Sequence, residues 1–187
     1  MFRQLREDIA TIRDRDPASR SSFEAWALYN GLKTIRSHRR ANWLYRHKLY
    51  FLARWESQRC VHRTGIEIHP AATIGRRFFI DHGTGVVIGE TCIIGKGCRL
   101  YQGVTLGALS FSKNEDGTLV KGLPRHPILE DNVTVYAGAS ILGRITIGKG
   151  SIIGGNVWLT HSVPEGSRIV QSAGKAKPGE VLTGKTK

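Results

Sequence analysis

A histidine that follows an aspartate and opens a glycine-lined corner, Asp81-His82-Gly83-Thr84-Gly85, is the most chemically suggestive stretch of this 187-residue chain. An unperturbed imidazole titrates at about pH 6.5, so it can accept and return a proton near neutrality, where a neutral alcohol is a poor nucleophile without a base. Glu67 precedes it by fifteen positions. A carboxylate at that place can fix the imidazole tautomer and stabilise the imidazolium as it forms. The pair reads as a general base with its orienting acid. Covalent catalysis has less support, because no Cys or Ser sits beside a base that would activate it. His69, followed by a proline, and His161 read as structural or corner residues.

These residues belong to a ladder running from Ile68 to Pro164. Ile68, Ile74, Ile80 and Val86 set a six-residue beat, which slips by two and resumes at Ile88, Ile94, Leu100 and Leu106. After one long excursion it returns at Leu129, Val135, Ile141, Ile147, Ile153 and Leu159. The fourth residue after a beat is usually small or aliphatic, as at Ala72, Thr84, Cys92, Cys98, Val104, Val133, Ala139, Ser151 and Val157. A period of six suits neither an amphipathic helix nor a hairpin sheet. It fits a parallel β-helix, in which short strands alternate with turns and successive coils stack to bury an aliphatic column. Cys92 and Cys98 fall in the small slot, so packing is their expected role. Three hexads make one triangular coil, which places Glu67 nearly one coil below His82.

Residues 1–63 have another character, rich in Arg, Trp, Leu and Ala, and read as helices. Phe2, Leu5, Ile9 and Ile12 recur at helical spacing, with Asp16-Pro17 closing the first helix. A second helix is expected over Phe23 to Arg40. A third is expected over Trp43 to Cys60, with Trp43, Leu44, Leu52 and Trp55 packing inward. The β-helix takes residues 64–170, interrupted by a long loop at 108–124, and a basic tail covers 171–187. No flexible linker separates helices from ladder near Thr64-Gly65, so both are expected to dock as one unit.

The net charge of +13, from 28 Lys and Arg against 15 Asp and Glu, does not point to nucleic acid. Much of the charge lies in helical segments and the tail, without a recognised motif or an aromatic platform on the ladder. A basic surface suits an anionic substrate or cofactor through its summed field. No apolar run approaches the roughly 20 residues of a membrane span. Charges at Arg3, Arg6, Glu7 and Asp8 interrupt any signal peptide. Three cysteines fit reduced thiols better than a disulfide framework. The expected location is cytoplasmic, without a membrane partner.

Three motifs in order, Asp16-Pro17-Ala18, Asp81-His82-Gly83-Thr84-Gly85 and Arg125-His126-Pro127, make the chain resemble the serine O-acetyltransferases, a branch of the hexapeptide-repeat acyltransferases. The likeness runs from Arg13 through the GIEIHPAATIGRRFFIDHGTGVVIGET stretch to Val163-Pro164. It implies a mainly β protein with a helical N-terminal part, a left-handed parallel β-helix, assembled as a homotrimer (a hexamer being the alternative) with active sites between subunits. It also implies transfer of the acetyl group of acetyl-CoA to L-serine, toward cysteine biosynthesis, with His82 as base. By the same carry-over Glu67 is its partner, although the family has aspartate more often there. Asp16 and Asp81 match positions that hold the substrate amine, and Arg125 and His126 those that bind its carboxylate beside a neighbour's His82. Carboxylates at one end and a bidentate guanidinium at the other suit a zwitterionic amino acid. Ala108, Ala137 and Gly155 match the cofactor contacts, where small residues admit the pantetheine. Homoserine or a sugar hydroxyl is the rival acceptor, and a non-catalytic hexapeptide scaffold the rival class. Zinc on His69, His82 and His126, as in the related γ-class carbonic anhydrases, would need three well-placed imidazoles, and no metal is expected.

Two departures from the family stand out. The excursion from Ala108 to Pro124 is longer than usual and is expected to cover the cofactor or a partner subunit. The tail ends in Lys187, whereas in the family a C-terminal isoleucine docks into cysteine synthase, so that complex is not expected by that route. Inhibition by cysteine is expected from the resemblance, because cysteine mimics serine at Asp16, Asp81 and Arg125.

Overall fold

The computed structural model of the chain describes residues 2–110 and 114–171. The Phe2 side chain and the tail from residue 172 lie outside the described residues, and with them the expectations placed on both.

The hexad ladder folds into short strands stacked in three parallel sheets that form the faces of a prism. Sheet one stacks β1 (Glu67–Ile68), β4 (Val87–Ile88), β7 (Thr105–Gly107), β10 (Ser140–Leu142) and β13 (Trp158–Leu159). Sheet two holds β2 (Thr73–Ile74), β5 (Ile93–Ile94), β8 (Ile128–Leu129) and β11 (Thr146–Ile147). Sheet three holds β3 (Phe79–Ile80), β6 (Arg99–Leu100), β9 (Thr134–Val135), β12 (Ile152–Ile153) and β14 (Arg168–Ile169).

Each beat residue except the half-buried Ile74 is buried, so Ile68, Ile88, Leu106, Ile141 and Leu159 form one wall of a continuous core. At about 1.5–3 kcal/mol for each fully buried aliphatic side chain, this column outweighs any surface ion pair. The small-residue slots close the corners. Cys92 and Cys98 donate to the carbonyls of Leu106 (3.5 Å) and Glu130 (3.0 Å). Burial pushes their thiols up to about 12 and about 11, which leaves them inert at neutral pH.

One slot departs from the pattern. Thr84 is exposed, and Val86 fills its place in the core. The corner between β3 and β4 is two residues longer than the one between β6 and β7, so the slip in the beat is a local expansion of that corner.

The N-terminal region forms four helices rather than three: α1 (Phe2–Arg15), α2 (Ser22–Leu28), α3 (Asn30–Arg46) and α4 (Tyr50–Thr64). The helix expected over Phe23 to Arg40 is broken at Tyr29, whose ψ of 113° is extended. The one expected from Trp43 is broken at Lys48, where φ is 63° and the chain turns back. Trp43 and Trp55 are each 57% exposed and Leu52 is 44% exposed, so these residues do not pack inward. The core of this region is instead Ile12, Ala25, Leu32 and Phe79, with Leu5, Ile9 and Tyr29 against it.

Helices and ladder are joined by specific contacts. Ser57 donates to the Ile68 carbonyl (2.8 Å), and Ile35 enters the ladder core. Arg15 donates to the Gly97 carbonyl (2.9 Å), while Arg99 donates to the Arg15 carbonyl (3.0 Å). This exchange fixes the end of α1, and with it Asp16. Gly65 caps α4 with φ 69°, a left-handed conformation that costs glycine little. No helix among the described residues is long and apolar enough to cross a membrane.

Candidate active site

The expanded corner after β3 carries His82. Its backbone is left-handed, with φ 54°, a conformation that non-glycine residues adopt rarely and that concentrates at functional sites. Gly83 turns the chain at φ 90°, and a Cβ there would stand 2.5 Å from the Ile66 side chain. The corner therefore packs tightly on one side and presents an exposed imidazole on the other.

An open cleft of about 280 Å³ faces this corner, lined by Asp16, Tyr29, Asn30, Gly31, Asp81 and His82 among others. The structure thus brings Asp16, Asp81 and His82 together from segments far apart in sequence. The break at Tyr29 makes this geometry. The Tyr29 hydroxyl donates to Asp16 Oδ2, and the Ala18 N–H donates to Oδ1 (2.8 Å). Burial, with the Asp16 hydrogen bond, raises the Tyr29 pKa, which keeps it a donor. Gly31 lies against the last residue of β3, where a Cβ would come 2.3 Å from the Ile80 carbonyl oxygen. Tyr29 and Gly31 did not emerge from the sequence reading. Their one signal was that Gly31 is the sole glycine in residues 1–64.

Arg125 and His126 occupy the corner between sheets one and two. The Thr91 hydroxyl accepts from the backbone N–H of Arg125 (2.9 Å) and of His126 (3.1 Å). The Thr91 N–H donates to His126 Nδ1 (3.1 Å), which places the proton of the neutral ring on Nε2. Burial, assisted by the Arg125 guanidinium, lowers the His126 pKa against the opposing pull of Glu90. His126 packs so closely on Gly89 that a Cβ there would stand 1.9 Å from its ring. Arg125 pairs with Glu90 at 2.6 Å, both half-buried. His69 belongs to the same neighbourhood, its pKa lowered by burial while Glu90 opposes the shift.

Glu67 is not placed as the coil arithmetic expected. It is in register with Val87, twenty residues on, because the expanded corner lengthens that coil. Its charge is felt at His69, and among the described residues no hydrogen bond links it to His82. Ala137 and Gly155 stack at the corner between sheets three and one, two and three rungs above His82; a Cβ on Gly155 would meet the Ala137 carbonyl at 3.2 Å. Ala108 follows β7 at the opposite edge of sheet one. In one chain the candidate residues therefore fall into two groups. Asp16, Asp81, His82, Ala137 and Gly155 lie along one edge of sheet one, and Arg125, His126 and Ala108 along the other. Among the described residues no group of three or more His, Cys, Asp or Glu is placed to hold a metal.

Residues 126–161 match the bacterial transferase hexapeptide (six repeats) family. A serine acetyltransferase of Bacillus subtilis is 51% identical over 93% of this chain and 76% of its own length. The chain belongs to the serine acetyltransferase family. A plasmid-borne serine acetyltransferase of Synechococcus elongatus is 55% identical over 91% of this chain, which spans only 53% of that protein. Among solved serine acetyltransferases, isoform 3 of Entamoeba histolytica, crystallised with cysteine, superposes with a TM-score of 0.85 at 37% identity, covering 98% of this chain and 61% of that one. The Brucella abortus enzyme in complex with coenzyme A superposes at 0.82 and 34% identity, over 89% of this chain and 63% of that one. As in that family the coils wind left-handed, an exception to the right-handed crossover rule.

Proposed function

We propose that the chain transfers the acetyl group of acetyl-CoA to the hydroxyl of L-serine, releasing O-acetyl-L-serine and CoA for cysteine synthesis. The observation that carries this reading is the cleft in which Asp16 and Asp81 flank the exposed imidazole of His82. Two carboxylates there suit an ammonium group, and the imidazole suits a hydroxyl beside it. Acetyl-CoA supplies the activated acetyl group. His82 takes the proton from the serine Oγ as that oxygen bonds to the acetyl carbon, and gives it to the sulfur as the carbon–sulfur bond breaks. Arg125 holds the substrate carboxylate by charge, and His126, neutral with its proton on Nε2, adds a hydrogen-bond donor.

The half-sites lie on opposite edges of one sheet, so this reading needs a second copy whose Arg125 edge faces the His82 edge of the first. A cyclic trimer satisfies this at three equivalent seams. Across such a seam Glu67, whose charge reaches His69 in its own chain, is available to the neighbour's His82 as its orienting carboxylate. Ala108 of one chain and Ala137 and Gly155 of the next would flank the pantetheine. Leu109, Leu119 and Leu123 in the long excursion are all exposed in the single chain, which supports packing of that segment against a neighbour. The cytoplasm, where acetyl-CoA is available, is the location that fits this chemistry.

The test is thiol release from acetyl-CoA with L-serine, L-homoserine and a sugar as acceptors, for wild type and His82→Ala. Serine-dependent release that falls at least about a hundredfold in the variant supports reaction and base together. Release with another acceptor alone would overturn the substrate, and release with none would overturn the enzyme reading.

A further inference from the structure

A second concave site lies outside the cleft, in the groove where the first half of α3 meets the last half of α4. It encloses about 440 Å³ and its lining includes Lys33, Arg36, Arg40, Arg59 and Arg63, with Glu56 the one carboxylate. Glu56 is already committed. It accepts from Arg40 Nε (3.0 Å) and from Ser37 Oγ (2.8 Å). Burial, which opposes ionisation, is outweighed by the Ser37 and Arg40 hydrogen bonds, so its pKa is lowered and it stays charged.

The remaining cations have no carboxylate within ion-pair distance among the described residues. The helix dipoles account for only part of the cluster. Arg63, in the last turn of α4, complements a negative helix end. Lys33 sits in the first turn of α3, where the same effect works against it. Like charges gathered in a concave groove repel one another, and a low-dielectric wall focuses their field. Guanidinium forks bind phosphate oxygens bidentately, which a row of solvated lysines along a convex face would not do.

We propose that this groove binds a small, multiply charged phosphate compound of diphosphate size. Its recognition elements are Arg36, Arg59 and Arg63, with Lys33 at the rim and the Arg40–Glu56 pair forming one wall. The site is separate from the serine cleft, although both are built on α3, whose first residues Asn30 and Gly31 line that cleft. The inference does not rest on the proposed transferase activity.

The experiment is calorimetric titration of the full chain with inorganic pyrophosphate at low salt, repeated with sulfate and with CoA, for wild type, Arg59→Gln/Arg63→Gln, Arg36→Gln and His82→Ala. Saturable binding of one pyrophosphate per chain is expected. It should be retained in His82→Ala, weakened about tenfold in Arg36→Gln and about a hundredfold in the double variant, and reduced by added salt. Circular dichroism and thermal unfolding on the same samples report whether each variant is folded, and the single variant gives a second reading should the double one not fold. Sulfate binding as tightly as pyrophosphate would reduce the site to one for any dianion. Displacement of pyrophosphate by CoA would assign the groove to the co-substrate. Either result, no saturable binding by wild type, or binding undiminished in the folded arginine variants would overturn the proposal.

Discussion

Gly31→Ala tests whether the docking of α3 on β3 shapes the cleft beside His82. In an exposed helix, alanine is favoured over glycine by as much as about 1 kcal/mol. Without tertiary constraint the substitution would therefore leave the protein unchanged or more stable. The structure gives the opposite sign. The new methyl would lie 2.3 Å from the Ile80 carbonyl oxygen, where real contacts begin at 3.0 Å, and the obstacle is backbone rather than a movable side chain. The helix must retreat by about 0.7 Å to reach that limit and about 1 Å for an ordinary contact, a displacement at which active-site geometry loses on the order of a hundredfold in rate. Overpacking of this kind costs about 1–3 kcal/mol. Because Tyr29, Asn30 and Gly31 move together, the separation of Asp16 from Asp81 and His82 widens. Thiol release at varied serine should show kcat/KM falling at least about tenfold, with a lower melting temperature. A variant as stable as wild type or more so, with kcat/KM within twofold, would refute the argument that this contact sets the cleft.

Tyr29→Phe removes one hydrogen bond to Asp16 and leaves the ring packing. Serine KM should rise about three- to tenfold with kcat little changed, and a fall in kcat alone would contradict the assigned role. His38 makes a separate prediction about acid stability. It is buried, and desolvation, opposed by a hydrogen bond to the Ala72 backbone, lowers its pKa from 6.5 to about 4. Between those values the unfolded chain binds more protons than the folded one, so stability is full above the upper limit and is lost as pH falls toward the lower. The loss should approach about 3 kcal/mol, measured by urea unfolding from pH 7 to pH 4. His38→Phe should flatten that dependence, and an unchanged slope would place the acid sensitivity elsewhere.

The ladder was legible because each beat residue has one environment, the prism interior, and the sequence repeats it without ambiguity. Even the slip at Ile80–Ile88 carried information, since it marks the corner on which His82 stands. What it concealed was register: the two added residues lengthen the first coil, and Glu67 comes under Val87 instead of Gly85. The helical region was less legible. Neither Tyr29 nor Lys48 is a residue that announces a break, and the interruption at Tyr29 is set by tertiary contacts. At Tyr29 these are its bond to Asp16 and the seat of Gly31 on β3. Trp43 and Trp55 lie in α3 and α4, and a helical pattern does not by itself say which face is covered. The motif residues Asp16, Asp81 and His82 did converge, from positions that spacing alone could not relate.

The division of the candidate site between two edges of one sheet has a genetic consequence. In the proposed trimer a chain lacking His82 and a chain lacking Arg125 would be defective in different halves, so neither loss would be repaired within its own homotrimer. In a mixed ring one of the three seams joins the intact His82 edge of one subunit to the intact Arg125 edge of the other. Random assembly of the two mutant chains in equal amounts would then restore roughly a quarter of the seams. Two alleles that are each null would complement in the same cell.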